Sequence, residues 1–164
     1  MNEFFTEHLV KRPSNSTTLL KKAGLVVATV DVSFLLMMFI PSFAFLLTAG
    51  LIALDVFLFG KMNLEFEYIY YNGDMDIDKI MNMQSRKRVF STNIKEIDVV
   101  APKGSDQLMT FQRLKVLDFS SQVAGNRVYE MVTSYKGEKV RVIFEPNDVI
   151  LNGMKYLAPR KVFI

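Results

Sequence analysis

Hydrophobic positions along this chain change period twice. From Ala23 to Gly60 the run is almost unbroken: 28 of 38 residues are Ala, Val, Ile, Leu, Met or Phe, and the only charges are Asp31 and Asp55. A single helix of that length would extend roughly 57 Å at about 1.5 Å per residue, against a hydrocarbon core of about 30 Å. Pro41-Ser42 interrupts the run near its middle. Proline lacks a backbone donor and disfavours helix in the residue before it. The pattern therefore predicts two antiparallel membrane helices, 18–40 and 43–60, joined by a very short turn. A buried soluble hairpin would demand a larger core than a chain of this size builds. A cleaved signal peptide fits badly, because 22 residues precede the apolar run and a second apolar stretch follows at once.

Beyond Met62 the period shortens to two. Leu64-Glu65-Phe66-Glu67-Tyr68-Ile69-Tyr70-Tyr71 alternates, is rich in aromatics, and breaks at Asn72-Gly73, a strong hairpin signal. Further strands are expected at 75–82, 87–92, 94–101, 114–119, 128–135 and 138–144, with a looser stretch over 105–113. The period then becomes helical. Glu145-Pro146-Asn147-Asp148 starts a helix over 147–157 with Asn147 as its cap, and Val149, Ile150, Met154 and Leu157 recur on it. Seven short antiparallel strands and one amphipathic helix predict two stacked sheets, or a partly open barrel, plugged at one end by the helix. Three segments result: an N-terminal piece (1–17), the hairpin (18–61) and a β domain (62–164). In the first, 2–10 reads as a short interfacial helix bearing Phe4, Phe5 and Leu9, or as a disordered tail, with His8 exposed.

Composition removes whole classes of chemistry. There is no Cys, so no disulfide framework, thiolate metal site or cysteine nucleophile can form, and one His, His8, cannot build a histidine metal cluster. The net charge of +3 is too slight to argue for nucleic acid. Basic residues Lys11, Arg12, Lys21, Lys22 and Lys61 flank the hairpin while its turn has none. The positive-inside rule then places both termini in the cytoplasm of a two-pass membrane protein.

The strand order and terminal helix resemble the pleckstrin-homology-like (PH-like) superfold in its bacterial membrane-anchored form. The chain is similar to a family of uncharacterised small Gram-positive membrane proteins pairing a two-helix hairpin with a cytoplasmic β domain. The residues that carry the resemblance are Glu65-Phe66-Glu67-Tyr68, Gly73 with Asp76-Ile77-Asp78-Lys79-Ile80, Arg86-Lys87-Arg88, Ala101-Pro102, Phe144-Glu145-Pro146 and Pro159-Arg160-Lys161-Val162. It covers nearly the whole chain and implies no particular activity.

Four groups of residues could carry function. Asp31 and Asp55 read either as an intramembrane proton or ion site, or as a helix contact and an interfacial carboxylate. Asp74, Asp76 and Asp78 alternate on one strand face; the spacing does not match a calcium loop, and a solvated face with Met75 and Ile77 inward is the simpler expectation. Arg86, Lys87 and Arg88 could contact anionic headgroups or pair across a hairpin with those aspartates. Arg160-Lys161 reads as a solvated tail, and Tyr68, Tyr70 and Tyr71 as core and rim. Ser91, Ser120 and Ser121 have no His in this domain as a base, and no Gly-rich phosphate loop is present. No catalytic, cofactor or metal constellation emerges. The expected function is a non-enzymatic membrane-tethered scaffold that binds a membrane or cytoplasmic protein along a strand edge. The alternatives are an anionic-lipid or envelope-stress sensor, and a small transporter or channel subunit that would require a homo-oligomer.

Overall fold

The computed structural model describes residues 5–14, 16–62, 64–81 and 85–164. The chain divides into two compact units. One is Pro13–Leu64; the other combines the segment ending at Arg12 with Glu65–Ile164.

The first unit is a helical hairpin, α1 (Ser16–Phe39) and α2 (Pro41–Met62). Pro41 opens α2 instead of merely separating the helices. At the first helical position its missing N–H would have no partner anyway. Ile40 alone forms the turn: its N–H donates to Leu36 O at 2.8 Å, and its carbonyl accepts from Ala44 at 3.0 Å. Leu25, Thr29, Ser33 and Leu36 of α1, and Ala44, Thr48, Leu51, Asp55 and Leu58 of α2, are among the partly or fully shielded positions. Their spacing of three and four matches a coiled-coil seam. Small residues along it let the helices approach closely. Elsewhere large apolar side chains such as Phe34, Met38, Phe45 and Leu46 face outward. Both helices are long and apolar enough to cross a membrane.

The second unit holds two four-stranded sheets. The first runs β1 (Phe5–Arg12), β2 (Leu64–Tyr71), β3 (Asp74–Met81) and β4 (Ser85–Asn93), in that spatial order. The second contains β5 (Ile97–Pro102), β6 (Lys115–Asp118), β7 (Tyr129–Tyr135) and β8 (Glu138–Phe144), ordered β5-β7-β8-β6. The sheets do not close into a barrel. β6 is parallel to β8, against the expectation of an all-antiparallel set.

β1 is the strand the sequence pattern hid. Phe5 and Leu9, four residues apart, share a side in a helix and equally in a strand. With β2 beside it the segment takes the strand option, and Thr6, His8, Val10 and Arg12 turn toward shielded positions while Phe5, Glu7, Leu9 and Lys11 stay out. The expected helix over 2–10 is thus replaced over its described part, its first residues lying outside the described set. His8 is half-buried, its ring 6.0 Å from that of Tyr68. The N-terminal segment of 1–17 accordingly divides after Arg12.

Aromatic side chains from both sheets meet between them. Phe66, Tyr68 and Phe90 come from the first sheet; Tyr135 and Phe144 come from the second, with Phe119 directly after β6. Phe66 and Phe119 pack edge-on at 5.4 Å, Tyr68 and Phe144 at 6.0 Å, and Phe90 and Tyr135 tilted at 5.0 Å. The fully buried rings, Phe66, Tyr68, Phe90 and Phe144, contribute about 1.5–3 kcal/mol each by burial and each pair about 0.5–1.5 kcal/mol more, with Phe119 and Tyr135 partly buried. Met75 and Ile77 point inward from β3, as the alternation predicts. Thr92 and Thr133 share a hydrogen bond of 2.7 Å across the same interior.

The terminal helix α3 (Asp148–Leu157) is capped as expected: Asn147 Oδ1 accepts from Ile150 N at 2.8 Å. Its buried face is Ile150, Leu151 and Met154, whereas Val149 and Leu157 are exposed. After α3 the tail returns to β5, where Val100 N donates to Lys161 O and Phe163 N to Val100 O, both at 2.8 Å.

The β2–β3 turn tests this packing. Asn72 and Gly73 both have positive φ, 46° and 100°, the geometry of a tight type I′ hairpin. A Cβ on Gly73 would lie 3.0 Å from Ile94 Cγ2 and 3.1 Å from Leu157 Cδ1. Gly73→Ala should lower unfolding stability by about 1–3 kcal/mol through backbone strain and crowding. Gly104→Ala shares the positive φ but meets nothing within 4 Å, so urea unfolding should show it as the milder change.

Candidate functional site

Four places in the molecule concentrate polar chemistry. The first is the seam between the sheets, near the ends of β1, β6 and β8. Tyr68 sends its hydroxyl to Phe119 O at 2.8 Å and accepts from Glu145 N at 3.2 Å. Burial pushes that phenol above its usual range; the hydrogen bond with Glu145 acts the other way. Glu145 Oε1 accepts from the backbone and hydroxyl of Ser121, both at 2.7 Å, and its Oε2 accepts from Asn126 at 2.9 Å. Arg12 donates to Ser120 O at 2.8 Å and to the Asp118 carbonyl and carboxylate at 3.0 and 3.1 Å, and stacks over the Phe66 ring. Nearly every donor and acceptor here is used within the fold, which makes this cluster a clamp. Ser120 and Ser121 are buried in it.

The second place is the basic strand. Its charges do not act as one patch. Arg86 pairs with Glu67 at 2.7 Å, while Arg88 pairs with Asp76 at 2.7 Å and Asp78 at 3.1 Å. The hydrogen bond that Arg88 donates to Asp78 leads the causes that raise the Arg88 pKa. Lys87 lies opposite Lys79 in the register and is exposed. The Asp74-Asp76-Asp78 face is graded, not uniformly solvated: Asp74 is exposed, Asp76 half-buried and Asp78 buried, and a bulge between Ile77 and Asp78 shifts the register. In these pairs the arginines are half-exposed while Glu67 and Asp78 are buried, so solvent screens only one partner of each.

The third place was not singled out from the sequence. The outer face of the second sheet carries Val99, Ala101 and Val132, onto which Leu108 packs with Phe111 and Leu114. Leu108 and Phe111 belong to a 3-10 helix, Asp106–Phe111, within the stretch expected to be loose. Beside it lies an open hollow of about 320 Å³. Glu130 and Arg141 line it, as do Lys103, Met109 and Gln112. Arg141 Nε is 3.2 Å from Glu130 Oε2. That contact is not aligned as a hydrogen bond, so a buried donor is left unused. A sequence signal existed: Glu130 and Arg141 interrupt strands otherwise rich in Met, Val and Ile, and β7 pairs directly with β8.

The fourth lies within the hairpin. Thr29 Oγ1 donates to Asp55 Oδ2 at 2.6 Å, and Ser33 Oγ to Thr29 O at 2.6 Å. Asp55 is buried against α1, contrary to the expectation that it reaches outward to an interface. Asp31 is exposed, two residues and about 200° around α1 from Thr29. The two intramembrane candidates are therefore not brought together.

Among the described residues no group of three His, Asp or Glu side chains is arranged to hold a metal ion. The sheet edges differ in cover. The β5 edge meets the C-terminal tail at Val100–Val162, and Val89 O on β4 accepts from the Tyr135 hydroxyl at 3.0 Å. β6 has four residues. β1 presents eight residues with no strand beyond it among those described, and with Phe5 and Leu9 exposed.

Over residues 2–164 the chain matches the family described as Bacterial PH-like domain (DUF6106), and it belongs to that family. The PH-like resemblance noted from the sequence is borne out. No curated protein and no solved structure matches the chain.

Asp118 gives the clamp a pH signature. Burial would raise its carboxyl, but hydrogen bonds from Gln122 and from the Ser120 hydroxyl and backbone, together with Arg12, outweigh burial and hold it below the usual carboxylate range. A depressed folded-state pKa stabilises above the unfolded value near 3.9, and that contribution is lost as pH falls through the folded pKa. Asp118→Asn should cost about 1–3 kcal/mol at pH 7. Urea unfolding of both proteins should show the gap narrowing below about pH 4; a gap independent of pH would contradict the clamp's electrostatic part.

Proposed function

We propose that this PH-like chain is a non-enzymatic, membrane-anchored module that binds an extended segment of a protein partner along β1. Two apolar helices support the anchor. Basic residues at the outer ends of the hairpin, with none in its turn, support an orientation in which both termini lie in the cytoplasm. The β1 edge carries the binding reading. An unpaired edge offers alternating backbone donors and acceptors, and exposed Phe5 and Leu9 offer side-chain selectivity on one face. Long apolar edges invite uncontrolled pairing unless covered, and the alternating Glu7 and Lys11 reduce that hazard without blocking the backbone.

The absence of cysteine makes each introduced thiol unique. With Ser42→Cys, an impermeant maleimide should label intact cells; with Ile164→Cys it should label only after permeabilisation. The reverse pattern would reject the orientation. A photo-crosslinking side chain at Leu9 should give a defined adduct that survives raised salt, whereas one at Tyr156, exposed on α3, should not give that adduct. An adduct lost as ionic strength rises would instead favour contact through charge.

A further inference from the structure

We propose that the hollow beside the 3-10 helix binds a small organic carboxylate with an apolar body. This inference goes beyond the strand-binding reading and does not rest on it. The outer face of the second sheet would be solvated in a plain two-sheet domain. Here Leu108 covers one part of it and leaves about 320 Å³ open beside that cover. That volume is at the lower end of the range for small-molecule sites.

Charge selects the ligand class. Glu130 is buried and paired with Arg141, so its charge is already offset. Lys103 also lines the hollow, is exposed, and has no partner among the described residues. Two positive groups against one negative leave a single positive excess, which suits a monoanion. Arg141 Nε is shielded and lies 3.2 Å from Glu130 Oε2 without an aligned hydrogen bond, so the guanidinium is incompletely satisfied by its partner. A carboxylate in the hollow can accept charge-assisted hydrogen bonds from the Arg141 side chain that lines it and meets the positive charge of Lys103. A phosphate dianion would meet the Glu130 carboxylate with too little compensating charge. A metal cation would find one carboxylate, already engaged.

Shape selects the body. Leu108 supplies a fixed apolar wall, and Met109, 61% exposed, supplies an adaptable one. Gln112 adds an amide that can orient a polar substituent. Buried ion pairs are often replaceable by apolar residues without loss of stability. One set in the floor of an open hollow, incompletely satisfied by its own partner, is explained by what it receives.

The test is calorimetric titration of the full-length protein in detergent with N-acetyl-leucine, N-acetyl-leucinamide and inorganic phosphate. The acid should bind saturably below about 10 mM, and the neutral amide about tenfold or more weakly, because it loses the charge-assisted contacts. Lys103→Ala should weaken the acid about five- to tenfold; since Lys103 is exposed, an unchanged melting temperature will confirm that the variant is folded. Met109→Ser should weaken the acid by a smaller factor. A pentapeptide ending in leucine distinguishes sources of the group: exclusion assigns the hollow to free acids, and binding equal to that of N-acetyl-leucine assigns it to polypeptide C-termini, both upholding the carboxylate. No saturation by the acid, equal binding of acid and amide, preference for phosphate, or indifference to Lys103→Ala would each overturn the proposal.

Discussion

Two sheets that pack face to face without closing leave a row of backbone groups at their seam, where neither ladder can satisfy them. Each such buried group left alone costs on the order of 1–3 kcal/mol. In this chain the Tyr68 hydroxyl answers that constraint, donating to Phe119 O and accepting from Glu145 N at the same point. Glu145 then holds Ser121 and Asn126, and Arg12 fastens the neighbouring Asp118 and Ser120. Aromatic burial drives the sheets together without specifying their alignment. These directional bonds do specify it, and they require residues separated by 106 positions, Arg12 and Asp118, to meet.

That requirement explains the unusual order of the chain. β1 and β2 are neighbours in one sheet, yet the hairpin is inserted between them. The chain leaves the β unit at Arg12 and re-enters it at Glu65. A connection that in other folds is a short turn has here become two helices, so the hairpin is attached through two adjacent strands. The entropy of closing a longer connection grows only slowly with length, so an insertion of this size need not weaken the sheet. The Arg12 contacts hold the N-terminal strand in place at the first of these attachment points.

What the sequence revealed depended on whether a period was unambiguous. The apolar run, its interruption at Pro41, the Asn72-Gly73 turn and the Asn147 cap each have one local physical reading, and each was legible. β1 was not, because a four-residue spacing of Phe5 and Leu9 satisfies both periods and the neighbour that decides between them lies beyond an inserted hairpin. The parallel placement of β6 depends on a crossover that periodicity does not encode. On α3, Val149 and Leu157 fit a helical stripe, but the packed face is centred on Ile150, Leu151 and Met154. For Arg86-Lys87-Arg88 the sequence leaves headgroup contact and cross-hairpin pairing open; Arg88 does pair with Asp76 and Asp78, while Arg86 turns to Glu67 on β2, a partner the sequence did not single out. Glu130 and Arg141 could have been noticed as charges out of place, but the hollow exists only because a 3-10 helix, in a stretch without clear period, covers part of the sheet beside them.

Buried polar groups in this molecule therefore fall into two kinds. At the seam, and at Thr92–Thr133, donors and acceptors are matched inside the fold, and the groups specify geometry. Thr29–Asp55 does the same within the hairpin, where a polar pair on an otherwise apolar seam fixes how the helices are rotated against each other. Glu130–Arg141 differs: the pair is shielded, one donor is unmatched, and the space beside it is open. A group that merely stabilised the sheet would be better replaced by another Val, since desolvating two charges under imperfect alignment recovers little. The pairs on β4 differ in that their arginines are half-exposed, although Glu67 and Asp78 are themselves buried. Burial without full satisfaction, beside accessible volume, is the condition under which a polar group is suited to a ligand and not only to its own fold.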